Sequence, residues 1–367
     1  MNHRFDKIAF NSTAKKTPTE SDKEHYIGLE HIDSECLEIT RWGSNVAPIG
    51  EKLIMKKGDV LFGKRRAYQR KLAIAPFDGI FSAHGMVLRP NEEVVDKKYF
   101  PFFMSSDLFM ERAVQISVGG LSPTINWKDL REQEFPLPSL AEQKVLADKL
   151  WAAYRLKESY KKLLAATEEM VKSQFIEMFG NPVTNNKGWN TLPIKDVAPE
   201  TSSLEKQTGK VWILNLDMIE SNTGKVVEKV FENDSNLLSV APFDEGNVLY
   251  SKLRPYLNKV VIPDGKGYAT TELVPLRPNQ KLLNLTFFSH LLRGDDFVTY
   301  ANSISTGTKM PRMPLNDLRK FQCILPPMEK QNEFEEIAHQ ADKSGFELRK
   351  SIVSIDKVIK SLINENI

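Results

Sequence analysis

The feature that most constrains the fold of this chain is an internal repeat. Residues 57–64 (KGDVLFGK) recur as residues 245–252 (EGNVLYSK), an offset of 188 residues. The same offset carries Gln143 onto Gln331. One register that holds across most of the 367 residues indicates a duplicated module, so both halves are expected to fold in the same way.

Each copy begins with a mixed module of short strands and helices. Short apolar runs bounded by Gly, Pro and Asp predict strands. In the first copy these are residues 60–62, 72–74 and 86–88, and in the second copy they are residues 248–250, 260–262 and 273–274. Longer, aromatic-rich segments predict one helix over residues 99–113 and its counterpart over residues 285–300.

Each module is followed by a long segment with few helix breakers. Residues 140–179 contain neither Pro nor Gly, and residues 328–367 contain a single Gly at position 345. Both segments are therefore predicted to be long helices, and 40 residues of helix extend over roughly 60 Å.

Heptad columns predict how these helices are buried. In the terminal segment, the columns Ala338, Gly345, Ile352, Ile359 and Ala341, Leu348, Ile355, Leu362 are typical of a coiled-coil seam. In the central segment, Leu150, Leu164, Val171 and Met178 share a column that Lys157 interrupts, and Leu156, Leu163 and Met170 run beside it. This second row predicts a broader buried stripe on the central helix.

These patterns predict an α+β fold with two repeated α/β domains. The two long helices are expected to be antiparallel, to form a coiled-coil spacer and to relate the domains by a pseudo-twofold axis. The predicted boundaries are residues 1–139 for the first domain, 140–180 for the central helix, 181–327 for the second domain and 328–367 for the terminal helix.

Positive charge is clustered rather than general. The formal net charge is only +2, so a nucleic-acid surface has to come from local clusters. A basic loop with an aromatic residue follows a predicted strand in both copies, with Lys64, Arg65, Arg66, Tyr68 and Arg70 in the first and Lys252, Arg254 and Tyr256 in the second. Such a loop suits contact with phosphates and base edges, although a solvated surface loop remains the alternative.

A second loop, residues 117–124, corresponds to residues 305–312. Its glycines, Gly119 and Gly120 in the first copy and Gly307 in the second, allow backbone N–H groups to approach a phosphate. Lys309 and Arg312 add positive charge in the second copy only. A plain turn remains the alternative interpretation of the glycines.

A search for catalytic motifs is negative. The chain has no glycine-rich cofactor loop after a strand, no Walker-type Gly-Lys-Ser/Thr and no Gly-x-Ser-x-Gly. The six histidines lack metal-ligand spacing, and Cys36 and Cys323 are expected to be isolated thiols in a reducing cytoplasm. No catalytic residue, metal site, signal peptide or membrane span is predicted.

In several segments the chain resembles the specificity subunits of type I restriction–modification systems. Two of these segments, residues 135–143 (FPLPSLAEQ) and 324–331 (ILPPMEKQ), each open a long helix. The others are residues 305–312 (STGTKMPR), 246–256, which end in KLRPY, and 179–182 (FGNP). The resemblance covers essentially the whole chain.

The resemblance implies two target-recognition domains, each reading one half of a bipartite site in double-stranded DNA. It also implies that two methyltransferase subunits and restriction–translocase subunits dock on the chain. S-adenosylmethionine, ATP and Mg²⁺ would belong to those partners, and this chain would bind no cofactor. The first copy departs from the family pattern at residues 121–124, where the second has Lys309-Met-Pro-Arg312.

Two further hypotheses stay open from the sequence. One is a DNA-acting enzyme, a methyltransferase or nuclease, whose motifs are not recognised. The other is a scaffold whose repeats bind only protein.

Overall fold

The computed structural model describes residues 1–200, 207–233 and 240–366. Its contacts divide the chain into two compact units. The first comprises Met1–Lys161 and the chain from Arg349 onward, and the second comprises Lys162–Leu348. Residues 201–206 and 234–239 of the predicted second domain, and Ile367 of the predicted terminal helix, lie outside the described residues. The predicted domain boundaries themselves stay predictions.

The elements of the first module and the long helix that follows it are, in chain order, β1 (Asn2–Arg4), α1 (Phe5–Ile8), β2 (Ala9–Ser12), β3 (Lys15–Lys16), β4 (Tyr26–Ile27), β5 (Lys52–Met55), β6 (Val60–Phe62), β7 (Leu72–Ile74), β8 (Gly79–Phe81), β9 (Met86–Pro90), α2 (Phe100–Ser105), α3 (Asp107–Gln115), α4 (Trp127–Leu130), β10 (Glu134–Pro136) and α5 (Leu140–Phe179).

The strands of the first module form antiparallel and mixed sheets. One sheet has the antiparallel order β2-β9-β6-β7, and another has the order β3-β5-β8-β4, in which β4 runs parallel to β8. The central strand β6 is buried along its whole length, with Leu61 facing Val87 of β9 and Ala73 of β7. The strands predicted at residues 60–62, 72–74 and 86–88 are confirmed.

The described elements after α5 are β11 (Thr191–Pro193), α6 (Ile194–Val197), β12 (Lys210–Leu214), β13 (Val230–Asn233), β14 (Val240–Phe243), β15 (Val248–Ser251), β16 (Val260–Val261), β17 (Gly267–Thr270), β18 (Leu273–Leu276), α7 (Leu285–Arg293), α8 (Asp295–Ser303), α9 (Leu315–Lys320), β19 (Gln322–Ile324) and α10 (Met328–Asn364).

The second module repeats the central strands of the first. The order β16-β15-β18 is antiparallel and matches β7-β6-β9, and the sheet β13-β12-β17-β14 lies in the same unit. The strands predicted at residues 248–250, 260–262 and 273–274 are confirmed, although β16 ends at Val261 and β18 continues to Leu276.

The prediction of a single helix over residues 99–113, and of another over 285–300, is wrong. Each segment is two short helices, broken at Ser106 in the first copy and at Gly294 in the second. Both residues have extended backbone angles, with φ −60° and ψ 153° at Ser106 and φ −64° and ψ 145° at Gly294. The Ser106 hydroxyl then caps the new helix by accepting a 3.1 Å hydrogen bond from the Phe109 N–H.

Aromatic side chains fill the main core of each unit. In the first unit, Phe5, Phe103, Phe109 and Phe135 are fully buried, and their contacting rings have centroids 5.4–5.9 Å apart. In the second unit the rings are Phe175, Phe179, Phe287 and Phe334, with centroids 4.7–5.6 Å apart. Tilted and edge-to-face ring contacts stabilise the fold beyond the burial of apolar area.

Each unit packs one end of each long helix into its core. The first unit buries Leu150 and Tyr154 of α5 together with Ile359 of α10, whereas the second buries Phe175 of α5 and Phe334 of α10. The beginning of one helix is therefore grouped with the end of the other, which is the pairing expected for antiparallel helices.

The heptad columns are only partly confirmed. On α10, every seam position is buried or half-buried. On α5, the prediction that Leu156, Leu163 and Met170 widen the buried stripe is wrong, because all three are exposed. Lys157, which interrupts the main column, is buried and donates a 2.6 Å hydrogen bond to Asp356 of α10, so its charge is neutralised within the first unit.

A fully buried glutamine joins the beginning of α5 to its module. The Gln143 amide accepts a 2.8 Å hydrogen bond from the Asp96 N–H through Oε1. Its Nε2 donates to the carbonyl oxygens of Val94 and Pro138 at 3.1 and 2.9 Å.

Gln331 makes the same three bonds at the beginning of α10, at the repeat offset of 188. Its Oε1 accepts from the Asn284 N–H at 2.8 Å, and its Nε2 donates to the Leu282 and Pro326 carbonyls at 3.0 and 2.8 Å. The glutamine that the sequence repeats is thus a structural residue that saturates otherwise unpaired backbone groups.

Replacing this amide should destabilise the second unit. Gln331→Met preserves side-chain length but leaves one backbone N–H and two carbonyls without their partner, so we expect a loss of about 2–5 kcal/mol. Urea unfolding followed by circular dichroism measures this loss. Gln340→Met, at an exposed position of the same helix, is the matched control and should change the free energy of unfolding by less than about 0.5 kcal/mol. Equal unfolding midpoints for Gln331→Met and wild type would contradict the assignment.

Candidate nucleic-acid interface

Two loops that are distant in sequence meet in the first unit. The first loop, residues 64–70, begins where β6 ends, and the second loop, residues 117–124, follows α3. The Arg66 N–H donates to the Pro123 carbonyl at 2.7 Å, and the Ile125 N–H donates to the Lys64 carbonyl at 2.9 Å. The two loops therefore form one surface, which we call the two-loop platform.

The second unit builds the same platform from residues 252–258 and 305–312. The Arg254 N–H donates to the Pro311 carbonyl at 2.7 Å, and the Met313 N–H donates to the Lys252 carbonyl at 2.9 Å. Every donor and acceptor lies 188 residues beyond its counterpart. Because only backbone atoms make these bonds, the platform can be retained while its side chains change.

The platform loops adopt left-handed backbone conformations at equivalent positions. Arg66 and Arg254 have φ of 56° and 48°, which is uncommon for residues with a Cβ, and Gly119 and Gly307 have φ of 109° and 99°. Of the glycines predicted from sequence, Gly119 and Gly307 are therefore required by backbone geometry, whereas Gly120 is not in the left-handed region. Strained loops of this kind are held in place by their surroundings and often occur at functional sites.

In the first unit, the Ser122 hydroxyl group accepts hydrogen bonds from two arginines of the first loop. Its hydroxyl oxygen accepts from Arg65 Nη2 at 3.3 Å and from Arg66 Nε and Nη2 at 3.3 and 3.2 Å. Both arginines are exposed, and Tyr68 of the same loop is 56% exposed. Gly120 is also exposed at the tip of the second loop.

Arg70 is engaged in contacts within its own unit. Its Nη2 donates to the Ser105 carbonyl at 2.9 Å and to Asp107 Oδ1 at 2.7 Å. In the second copy, Asn258 stands at this position and donates to the Arg293 carbonyl at 2.8 Å, which is the same helix end. The shared bond favours a structural role, and contact between Arg70 and DNA stays a prediction.

Lys64 and Lys252, which stand at equivalent positions of the first loops, differ from surface lysines because both are half-buried. Burial, with a smaller contribution from Lys15, lowers the pKa of Lys64 below its usual value. In the second unit, the Lys252 N–H donates to the Glu272 carbonyl at 3.1 Å. Lys309 is exposed at the tip of the second loop.

The second unit places an arginine–carboxylate pair on its platform. Arg312 Nε donates to Oε1 and Oε2 of Glu272 at 3.1 and 3.3 Å, and Arg312 Nη2 donates to Oε1 at 3.0 Å. Tyr256 is 50% exposed. Arg254 is half-buried, and its Nε has no hydrogen-bond partner among the described residues.

Two residues that bind platform arginines, Ser122 and Glu272, are absent from the site residues predicted from the sequence. The copies differ together at two positions, His84 and Thr124 in the first against Glu272 and Arg312 in the second. A paired difference at equivalent positions is the signal by which Glu272 could have been found. Ser122 has no such signal, because its contact depends on how the two loops meet.

The platforms offer cations, aromatic faces and hydroxyl groups. Over residues 1–200, 207–233 and 240–366, no group of three or more His, Cys, Asp and Glu side chains is arranged to hold a metal ion. In the same ranges, no helix is long and apolar enough to cross a membrane. The cations, aromatic faces and hydroxyl groups of the platforms are suited to contact with a polyanion and with base edges.

Comparison with known proteins gives one consistent family. The chain is similar to the specificity subunit of the type I restriction enzyme EcoDI of Escherichia coli, with 22% identity over 345 residues, which cover 82% of this chain and 72% of that protein. It also resembles a chain from a structure of a type I restriction–modification system, with TM-score 0.57 and 18% identity, covering 100% of this chain and 97% of that one. The S subunit from M. genitalium gives TM-score 0.59 and 13% identity, covering 100% and 95%.

At these identities the solved structures show a shared fold, and the family model carries the assignment. The model of the type I restriction modification DNA specificity domain matches twice, over residues 10–169 and 186–354. These two ranges account for most of the chain and fall on the two copies of the repeat. The chain therefore belongs to the DNA specificity family of type I restriction–modification systems.

Proposed function

We propose that this chain reads a bipartite site in double-stranded DNA, with one two-loop platform for each half. The observation that carries the proposal is the pair of platforms, closed by the same backbone bonds in both units. Two readers in one chain fit a site with two separate halves, and the loop cations fit contact with phosphates. We assign the DNA contacts to Lys64, Arg65, Arg66, Tyr68, Gly119, Gly120, Lys252, Arg254, Tyr256, Gly307, Lys309 and Arg312. Arg70, which the sequence also predicted, is instead proposed to hold its loop against the end of α2.

The two half-sites should have different sequences. The platforms share their backbone but differ in the side chains that they present. Arg65 of the first copy is replaced by Leu253, and Thr124 by Arg312. Because base edges are read by side-chain donors and acceptors, different side chains select different bases.

The chain is proposed to act without catalysis of its own. We propose that the long helices space the two readers and that two methyltransferase subunits and restriction–translocase subunits bind the chain in the cytoplasm. S-adenosylmethionine, ATP and Mg²⁺ would then be bound by those partners. The exposed Leu156, Leu163 and Met170 support a docking role for α5.

Methylation-site sequencing tests this function directly. A host that expresses the chain together with its methyltransferase subunit should acquire methylation at a bipartite motif with an unspecified central spacer. The same host without the chain should lack it.

Methyl transfer to DNA by the purified chain alone would instead favour a DNA-acting enzyme. Binding of the assembled complex should weaken steeply as salt rises, and a complex with no affinity for DNA would favour a protein-only scaffold.

Changing one platform should affect one half-site. Arg254→Ala removes a cation from the platform of the second unit, so we expect altered recognition of one half of the motif and an intact other half. Sequencing of methylated sites in the variant strain measures this. Arg319→Ala is the control, because Arg319 lies outside the platform, where its Nε binds Glu200 at 2.6 Å. A uniform loss over both halves would argue against independent readers.

Lengthening the central helix should lengthen the spacer. Four residues inserted between Ala165 and Ala166, which are both exposed, add about 6 Å of helix, or roughly two base pairs. The preferred spacer, read from the methylated motif, should increase accordingly. Ala165→Ser with Ala166→Ser retains helix length and serves as control. An active insertion variant with the original spacer would show that α5 does not set the distance.

A further inference from the structure

On each platform, one arginine is bound through the same edge of its guanidinium group, the edge formed by Nε and Nη2. Arg312 uses Nε and Nη2 to bind Glu272 at 3.0–3.3 Å. Arg66 uses Nε and Nη2 to bind the Ser122 hydroxyl oxygen at 3.3 and 3.2 Å. In both units the arginine remains exposed.

This arrangement leaves a defined set of donors for a ligand. A guanidinium group has five N–H bonds, and the side-on contact uses the one on Nε and one on Nη2. The far edge, with both hydrogens of Nη1 and the remaining hydrogen of Nη2, is left for another acceptor. Two parallel donors at this spacing match the O6 and N7 acceptors of guanine in the major groove.

The Glu272 carboxylate argues for a base rather than a phosphate as the ligand of Arg312. A carboxylate beside the DNA backbone repels phosphates, and it cancels the charge by which an arginine attracts them. A fixed guanidinium plane is instead an advantage when two acceptors must be met at once, because less side-chain freedom is lost on binding. Glu272 is the more buried partner, with 23% of its side chain exposed against 45% for Arg312.

The two supported arginines are not equivalent positions of the repeat. Arg66 belongs to the first loop of its platform, whereas Arg312 belongs to the second loop of the other. The counterpart of Arg312 is Thr124, and the counterpart of Ser122 is Met310. In each copy, therefore, a different residue of the repeat binds and positions a different arginine.

We propose that Arg312 and Arg66 are specificity-determining residues that each read a guanine, one in each half-site, with Glu272 and Ser122 as the residues that position them. This inference rests on the proposed function and adds to it the base class that each platform selects.

Methylation-site sequencing with conservative variants tests the inference in the complete complex. Arg312→Lys preserves the charge but replaces the planar pair of donors with a single ammonium group, so the preference for one guanine of one half-site should become weaker. Arg66→Lys should have the same effect in the other half-site. Glu272→Gln and Ser122→Ala should relax the same positions more weakly, because the planar pair of donors is present but less fixed. Arg319→Lys, at the ion pair with Glu200 outside the platform, should leave the motif unchanged.

Binding of the purified complex to modified duplexes provides a second measurement that does not require active variants. Replacing the assigned guanine with 7-deazaguanine removes only the N7 acceptor, and affinity should fall about tenfold for wild type. For Arg312→Lys, whose ammonium lacks two parallel donors in a fixed plane, the difference in affinity between the modified and unmodified duplexes should be smaller than for wild type. If 7-deazaguanine at each guanine of both half-sites left the affinity of the wild-type complex unchanged, the inference would be overturned.

The failure of the inference and that of the proposed function can be told apart. If wild type methylates a bipartite motif but Arg312→Lys and Arg66→Lys methylate that motif unchanged, the arginines are not the readers, although the function stands. A half-site without any guanine would likewise show that the arginine is not the reader, although the function stands. If wild type produces no bipartite motif at all, the proposed function itself is wrong.

Discussion

The position of each long helix depends on one buried amide, Gln143 for α5 and Gln331 for α10. Each side chain is fully buried and accepts one backbone hydrogen bond while donating two, so the loop before the helix, a loop of the module and the first helical turn are joined at a single point. The net stabilisation by each bond is modest, but leaving the buried backbone groups unpaired is costly. In both copies the module and the beginning of its helix therefore keep a fixed relation.

Much of the fold could be predicted for two reasons. Hydrophobic periodicity is a signal within one short segment, and the repeat allows the two halves of the chain to be compared directly. The strands around Leu61 and the α10 seam follow from them. The breaks at Ser106 and Gly294 were missed because the apolar spacing continues across both residues. The signals that mark them, a Ser before Asp107 and a Gly before Asp295, were outweighed by this spacing. The exposure of Leu163 was missed for another reason. Heptad spacing identifies residues that share a face of a helix, but it does not say which face meets the core.

Less of the candidate site could be predicted. Clustered charge and repeated glycines identify the two loops, since those signals lie within short segments. That the loops meet depends on bonds between residues 57 or more apart, such as that from Arg66 to Pro123. For the same reason the sequence does not reveal that Arg70 is engaged with a helix end, or that Ser122 and Glu272 support arginines. Only the comparison of the copies carries part of this information, through the joint difference at Glu272 and Arg312.

Closure of the platforms by backbone atoms has an evolutionary consequence. A substitution at Ser122, Thr124 or Arg312 leaves the hydrogen bonds between the loops intact, so it changes the presented donors and acceptors at little cost to folding. New recognition sequences are therefore accessible by single steps through stable intermediates. The two copies already combine the same hydrogen bonds between the loops with different side chains.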